Sequence, residues 1–410
     1  MVDDLICVSK CGHKTSMIHS YMKFKTESKK LQFGSEKCKK LHVGKLKEDF
    51  KCQELFVDNW AEIAVENDDG KVGMEDYLMG EELMEEKNEE KYLGDIISND
   101  GRNLKNVKAR VSKGKGIVHR IMTYLEGIPF GKFYYEIAVI LRNSLLVSSV
   151  LFNSEAWYNV TNAELDLIET VDLMLLRSIL KAPISTPKEM LYLELGCLPY
   201  REIIRQKRLS YLYYILHENS ESMVYRFFEA QMKNRNSKDW ATTIMKDLEE
   251  LKMNISMEEI KKMKKGTFMN TLRLHTNQHA LNYLSEKQAS HSKVNNWSHS
   301  MLKMQKYLKP NMEKIRIEDC QLIFKLRCRV TRAKINMKGL FDTFECWACG
   351  IDEKSQEHIQ YCKVVRGMNK DDHEIPDYGK LFIGTVKDQL GICKLFKQNM
   401  KILENITQSC

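Results

Sequence analysis

The sequence predicts a mainly α protein with a small α+β part at its N-terminal end. Three observations carry this. Only six prolines occur in 410 residues, so little of the chain is barred from helix. From residue 103 onward apolar residues recur at three-and-four spacing, as in Leu104, Val107, Val111, Val118, Ile121, Met122 and Leu125. Before that point the apolar residues come in short alternating runs, with Leu31/Phe33 and Leu41/Val43 on either side of the turn formers Gly34-Ser35.

Taken in order, the chain opens "MVDDLICVSK". Aspartate is a poor strand residue and two adjacent carboxylates repel. The pair therefore reads as a hairpin tip aimed at a cation, or as a solvated terminus. "SMIHSYMKF" places Met17, Ile18, Tyr21 and Met22 on one helical face. The two short strands around Gly34-Ser35 follow, and then an acidic stretch over 66–90 that reads as a solvated loop or insertion. "KYLGDIISNDGRN" gives one short apolar strand, ended by Asn99-Asp100-Gly101.

Helices are predicted from 103, over 163–181 and over 200–217, with a break at "APISTP" where Pro183 and Pro187 stand. The apolar run 136–152 is interrupted by Arg142 and Asn143. It is too short and too polar for a bilayer, so it reads as a buried helix, and no membrane partner is expected. Ser256 with Glu259 forms a capping box and Ile255 with Ile260 a hydrophobic staple, which sets a helix start. Residues 231–340 are Lys-rich helices with a mobile linker near 286–300. The expected segments are 1–101, 102–230, 231–340 and 341–410.

The net charge of +8 favours a polyanion partner, and its distribution says more than its size. Over 102–120 stand Arg102, Lys105, Lys108, Arg110, Lys113, Lys115 and Arg120 with no acid among them. This reads as a phosphate-contacting surface or as a solvated helix face. Tyr134, Tyr135, Trp157 and Tyr158 can stack bases, but core packing explains them better. Asp3 and Asp4 stand where a secretory signal carries positive charge, and the chain has twelve cysteines. Together these predict an intracellular protein, cytoplasmic or nuclear, whose thiols are free or bind metal.

The sharpest local signal is "CWACGIDEKSQEHIQYC". Its spacing is Cys346-x2-Cys349-x8-His358-x3-Cys362, four ligands of the types that close around structural zinc. The alternative is four unrelated thiol and imidazole groups. Cys7, Cys11 and His13 form a weaker set with no evident fourth ligand.

The order of these pieces resembles the C-terminal part of a non-LTR (LINE-type) retrotransposon reverse transcriptase. "MVDDL" is similar to the catalytic hairpin of the palm, "LQFGSEKCKKLHVG" to the next strand pair, and "KYLGDIIS" to the primer grip. "LFNSEAWYNVTNAELDLIETVDLMLLRSIL" with "STPKEMLYLELGCLPYREIIRQKRLSYL" resembles the thumb and following helices, and "QLIFKLRCRVT" leads into the zinc knuckle. The resemblance implies a palm remnant, a helical thumb, a helical linker and a CCHC zinc knuckle. It implies Mg²⁺ at Asp3 and Asp4, a triphosphate-facing role for Lys37, and RNA or RNA–DNA hybrid as partner. The family's third metal-binding aspartate and its fingers lie upstream of the aspartate pair. The chain is therefore expected to bind nucleic acid without polymerising alone. A repurposed RNA- or protein-binding knuckle protein, or a relic without function, are the alternatives.

Overall fold

A computed structural model describes residues 39–41, 61–66, 72–77, 85–92, 94–128, 133–233, 239–291, 299–309, 315–331, 345–346, 348–351, 358–368 and 377–409. These residues are mainly helical, as the proline count and the apolar spacing require. The chain divides into two units, Met1–Val107 and Lys108–Cys410. The last three segments expected from sequence therefore fall, apart from residues 102–107, in one unit. Asp3, Asp4, Lys37, Cys7, Cys11, His13, the helical face at 17–22 and the strand at Leu31/Phe33 lie outside the described residues.

Within the first unit the described strands pair two by two. β1 (Lys39–Leu41) runs parallel to β4 (Glu85–Lys87). β2 (Ala61–Glu66) and β3 (Val72–Tyr77) are antiparallel, with Ala61 opposite Tyr77. β5 (Glu89–Tyr92) and β6 (Asp95–Ser98) are antiparallel, with Tyr92 opposite Asp95. Two expectations need correction. The acidic stretch 66–90, read as a solvated loop or insertion, holds β3 and β4 and so is not loop throughout, because strand ladders are made by the backbone and tolerate acidic side chains. "KYLGDIIS" is a hairpin and not one strand. Gly94 takes φ +88 at its tip, which lets the chain reverse within two residues.

In the second unit the core is built from helices. α1 (Leu104–Glu126) buries Val111, Ile117, Val118, Ile121 and Leu125. Gly114 lies on that buried face. A Cβ there would stand 2.7 Å from a Val171 methyl and 2.9 Å from a Val150 methyl, so glycine is what allows the close approach. α2 (Tyr134–Leu141) continues through a π-helical stretch, Arg142–Val147, and a last turn, Ser148–Val150. α3 (Asn162–Leu180) and α5 (Tyr200–His217) fall within a residue or two of the predicted bounds, with α4 (Lys188–Leu195) starting at Pro187. Thr161 and Glu164 cap α3 reciprocally.

The apparent polar interruption of 136–152 is a core feature. Arg142 is fully buried and pairs bidentately with Asp172 of α3, while Tyr192 of α4 donates to the same carboxylate at 3.1 Å. α6 (Met223–Lys233), α7 (Trp240–Glu250), α8 (Met257–Lys262) and α9 (Lys265–Ala289) follow. They pack Phe228, Ile244, Leu248, Ile260, Phe268 and Leu272 against Leu209, Leu212 and Leu216 of α5. The Ser256–Glu259 capping box forms as predicted, with Ile255 against the same core as Ile260. α9 runs through Ala289, so the linker expected near 286–300 does not begin at 286.

A second buried ion pair joins α4 to α10 (Ile317–Arg327). Arg327 holds Glu194 at 3.0 Å, and the Tyr307 hydroxyl donates to the other Glu194 oxygen. Burial holds the Glu194 carboxyl above the usual range, against the pull of the Arg327 guanidinium. The short helices α11 (His358–Tyr361), α12 (Lys363–Met368) and α13 (Lys380–Ile383) follow. α14 (Val386–Ser409) packs against α10 to α13 and closes the fold. Among the described residues no helix is long and apolar enough to cross a membrane.

Candidate metal centre

Cys346 and Cys349 sit on one tight turn. The Gly350 amide donates to the Cys346 carbonyl at 2.9 Å, and the Cys346 amide donates to the Ile351 carbonyl at 2.8 Å. Gly350 takes φ +70, a left-handed conformation that costs glycine nothing. On the other side, His358 opens α11 and Cys362 follows it, its amide bonded to the His358 carbonyl at 2.8 Å. A single helical turn thus brings the third and fourth groups to one face.

The four side chains converge. The Cys346 and Cys362 sulfurs lie 3.9 Å apart, and the Cys349 sulfur lies 3.3 Å from His358 Nε2. All four ligand atoms fall within 4.8 Å of one another. Zinc–sulfur bonds of about 2.3 Å in a tetrahedron give sulfur–sulfur edges of about 3.8 Å. Cys346 and Cys362 are buried, while Cys349 and His358 are half-buried. The cluster can hold a metal ion and is compatible with zinc.

Burial pushes the Cys346 thiol up to about 11; the Ala348 and Cys349 amides pull it down, and Cys362 pushes it further up. A divalent ion at the centre reverses that balance and favours the thiolates. Four protein ligands leave no open coordination position, so the chemistry on offer is structural.

The C-terminal helix supports the site. Asn399 of α14 is fully buried and donates to the Ile359 carbonyl at 3.0 Å, fixing the helical turn that carries His358 and Cys362. Ile392, Phe396 and Leu403 line the same buried face. The sequence analysis places this helix in the segment 341–410 and gives it no role of its own. The missed signal was the recurrence of Ile392, Phe396, Asn399 and Leu403 at helical spacing, hidden because one of the four is polar.

The basic stretch is brought onto α1, but its members do not share one environment. Lys108 and Lys115 are exposed on one flank of the core stripe and Lys113 and Arg120 on the other, and exposed Arg102 precedes the helix. Lys105 is paired with Glu89 at 2.6 Å. Arg110 is buried, donates to the Ser149 carbonyl at 3.0 Å and lies over the Phe152 ring, so it faces the core and not solvent. Tyr134, Tyr135 and Trp157 are buried, in line with a core role, and Tyr158 is partly exposed.

No protein-family model, curated protein or solved structure matches the chain.

Proposed function

We propose that this chain is a nucleic-acid-binding protein of reverse-transcriptase ancestry, in which a thumb-like helical body carries a structural zinc knuckle. The observation that carries the reading is the convergence of Cys346, Cys349, His358 and Cys362, whose donor types and spacing suit zinc. The exposed cations Lys108, Lys113, Lys115 and Arg120 on α1 supply phosphate contacts. The order of motifs along the chain supplies the ancestry and names RNA or RNA–DNA hybrid as the partner. By the same resemblance Asp3 and Asp4 are assigned to Mg²⁺ and Lys37 to a triphosphate. The test is binding of a fluorescent RNA–DNA hybrid over a salt series. Phosphate-driven binding releases counterions, so affinity is expected to fall steeply and to be largely lost by roughly 0.3 M salt. Affinity that does not respond to salt would contradict the reading.

A further inference from the structure

Between α5 and α9 lies an open groove of about 360 Å³ that the reading above leaves without a role. Its walls come from Tyr211 and Tyr214 on one side and Met269, Leu272 and Arg273 on the other. Tyr211 and Tyr214 are one helical turn apart and nearly parallel, their planes 11° from each other and their centroids 6.1 Å apart. Tyr211 is braced edge-on by Trp240 at 5.9 Å, and the Trp240 indole donates to the Glu155 carbonyl at 2.8 Å. The pair is braced at Tyr211, while Tyr214 keeps more than half of its surface in water.

The polar groups of the groove are unequal. Lys207 is committed to the Leu151 carbonyl and to Glu155. Arg273 is exposed and makes no hydrogen bond or ion pair among the described residues. A braced aromatic pair beside a free guanidinium suits one ligand chemistry, a planar π-system carrying an anion. We propose that the groove binds a nucleotide, with the base extending the Tyr211–Tyr214 stack and a phosphate on Arg273. The proposal rests on the nucleic-acid reading, in which the natural source is an unpaired overhang running off a duplex bound elsewhere. A free mononucleotide offers the same chemistry.

The experiment uses the full chain and two fluorescent probes, a blunt RNA–DNA hybrid and the same hybrid with a single-stranded RNA overhang. The parent is expected to bind the overhang probe more tightly. Tyr214→Ala and Arg273→Gln are expected each to weaken overhang binding about tenfold, the usual scale of a lost base stack, while blunt-hybrid binding stays put. Tyr214→Phe keeps the ring and is expected to restore parental affinity. Competition by free AMP would assign the site to mononucleotides, and competition only by RNA oligomers would assign it to strands. Variants that bind the overhang like the parent, or that lose both probes equally, would overturn the groove assignment and leave the broader reading standing. A parent that binds neither probe would overturn both.

Discussion

Arg142 and Asp172 face each other at the centre of the helical body, with Nε to Oδ1 at 2.7 Å and Nη2 to Oδ2 at 2.5 Å. Neither is accessible to water. The guanidinium also donates to the Leu198 carbonyl at 2.8 Å, so the π-helical stretch after α2, helix α3 and the α4–α5 connection meet on one charge pair. Burial alone would destabilise the guanidinium charge, and the carboxylate more than offsets it, holding the Arg142 pKa well above its ordinary value.

Removing one partner leaves an uncompensated buried charge. Asp172→Ala is expected to cost about 3–5 kcal/mol, read as a shift in the urea midpoint at constant slope. The double variant Arg142→Met/Asp172→Leu is expected to recover most of that loss, because the desolvation penalty goes with the charges. A single variant as stable as the parent would show that the pair does not organise the core.

The basic stretch separates into two kinds of residue that mutation can distinguish. Replacing Lys108, Lys113 and Lys115 with Gln is expected to flatten the salt dependence of hybrid binding and leave the melting temperature nearly unchanged. Arg110→Gln is expected to do the reverse, since Arg110 is buried and spends its charge on the Ser149 carbonyl and the Phe152 ring. Anisotropy titrations at several salt concentrations, alongside thermal melts, decide this. A salt slope lost on Arg110→Gln alone would place the phosphate contact on the wrong face.

Much of the helical body was legible in the sequence. The periodicity of α1, α3 and α5, the proline break before α4 and the Ser256 cap are local signals, and they set element bounds closely. What was not legible depends on contacts far along the chain. Arg110 reads like its neighbours in sequence, and only the packing of Ser149 and Phe152 around it makes it a core residue. Arg142 reads as an interruption until Asp172, thirty residues on, turns it into an anchor. The metal cluster was legible because its four ligands lie within one short stretch, whereas Asn399, which steadies it, comes from a helix forty residues beyond Ile359.

His299 gives the fold a pH dependence of known sign. Burial, with the Arg327 guanidinium nearby, lowers its pKa from 6.5 to about 4. The unfolded chain therefore takes up a proton between pH 6.5 and 4 that the folded chain refuses, and stability is lost as pH falls through that window. The loss is expected to reach up to about 3 kcal/mol relative to His299→Gln, from the usual free energy per pKa unit. Urea titrations of both proteins at pH 7, 5.5 and 4 measure the difference. Parallel stability profiles would contradict the assignment.

The most direct test of the zinc-centred reading is metal content. Protein purified without chelator is expected to carry one zinc per chain by elemental analysis, since all four closing ligands come from the one cluster. Cys349→Ser is expected to lower that content and to speed amide exchange in α11 and the adjoining face of α14, with α1 to α5 unaffected. Folded parent protein with no bound metal, and with α11 as protected as the rest of the body, would contradict it.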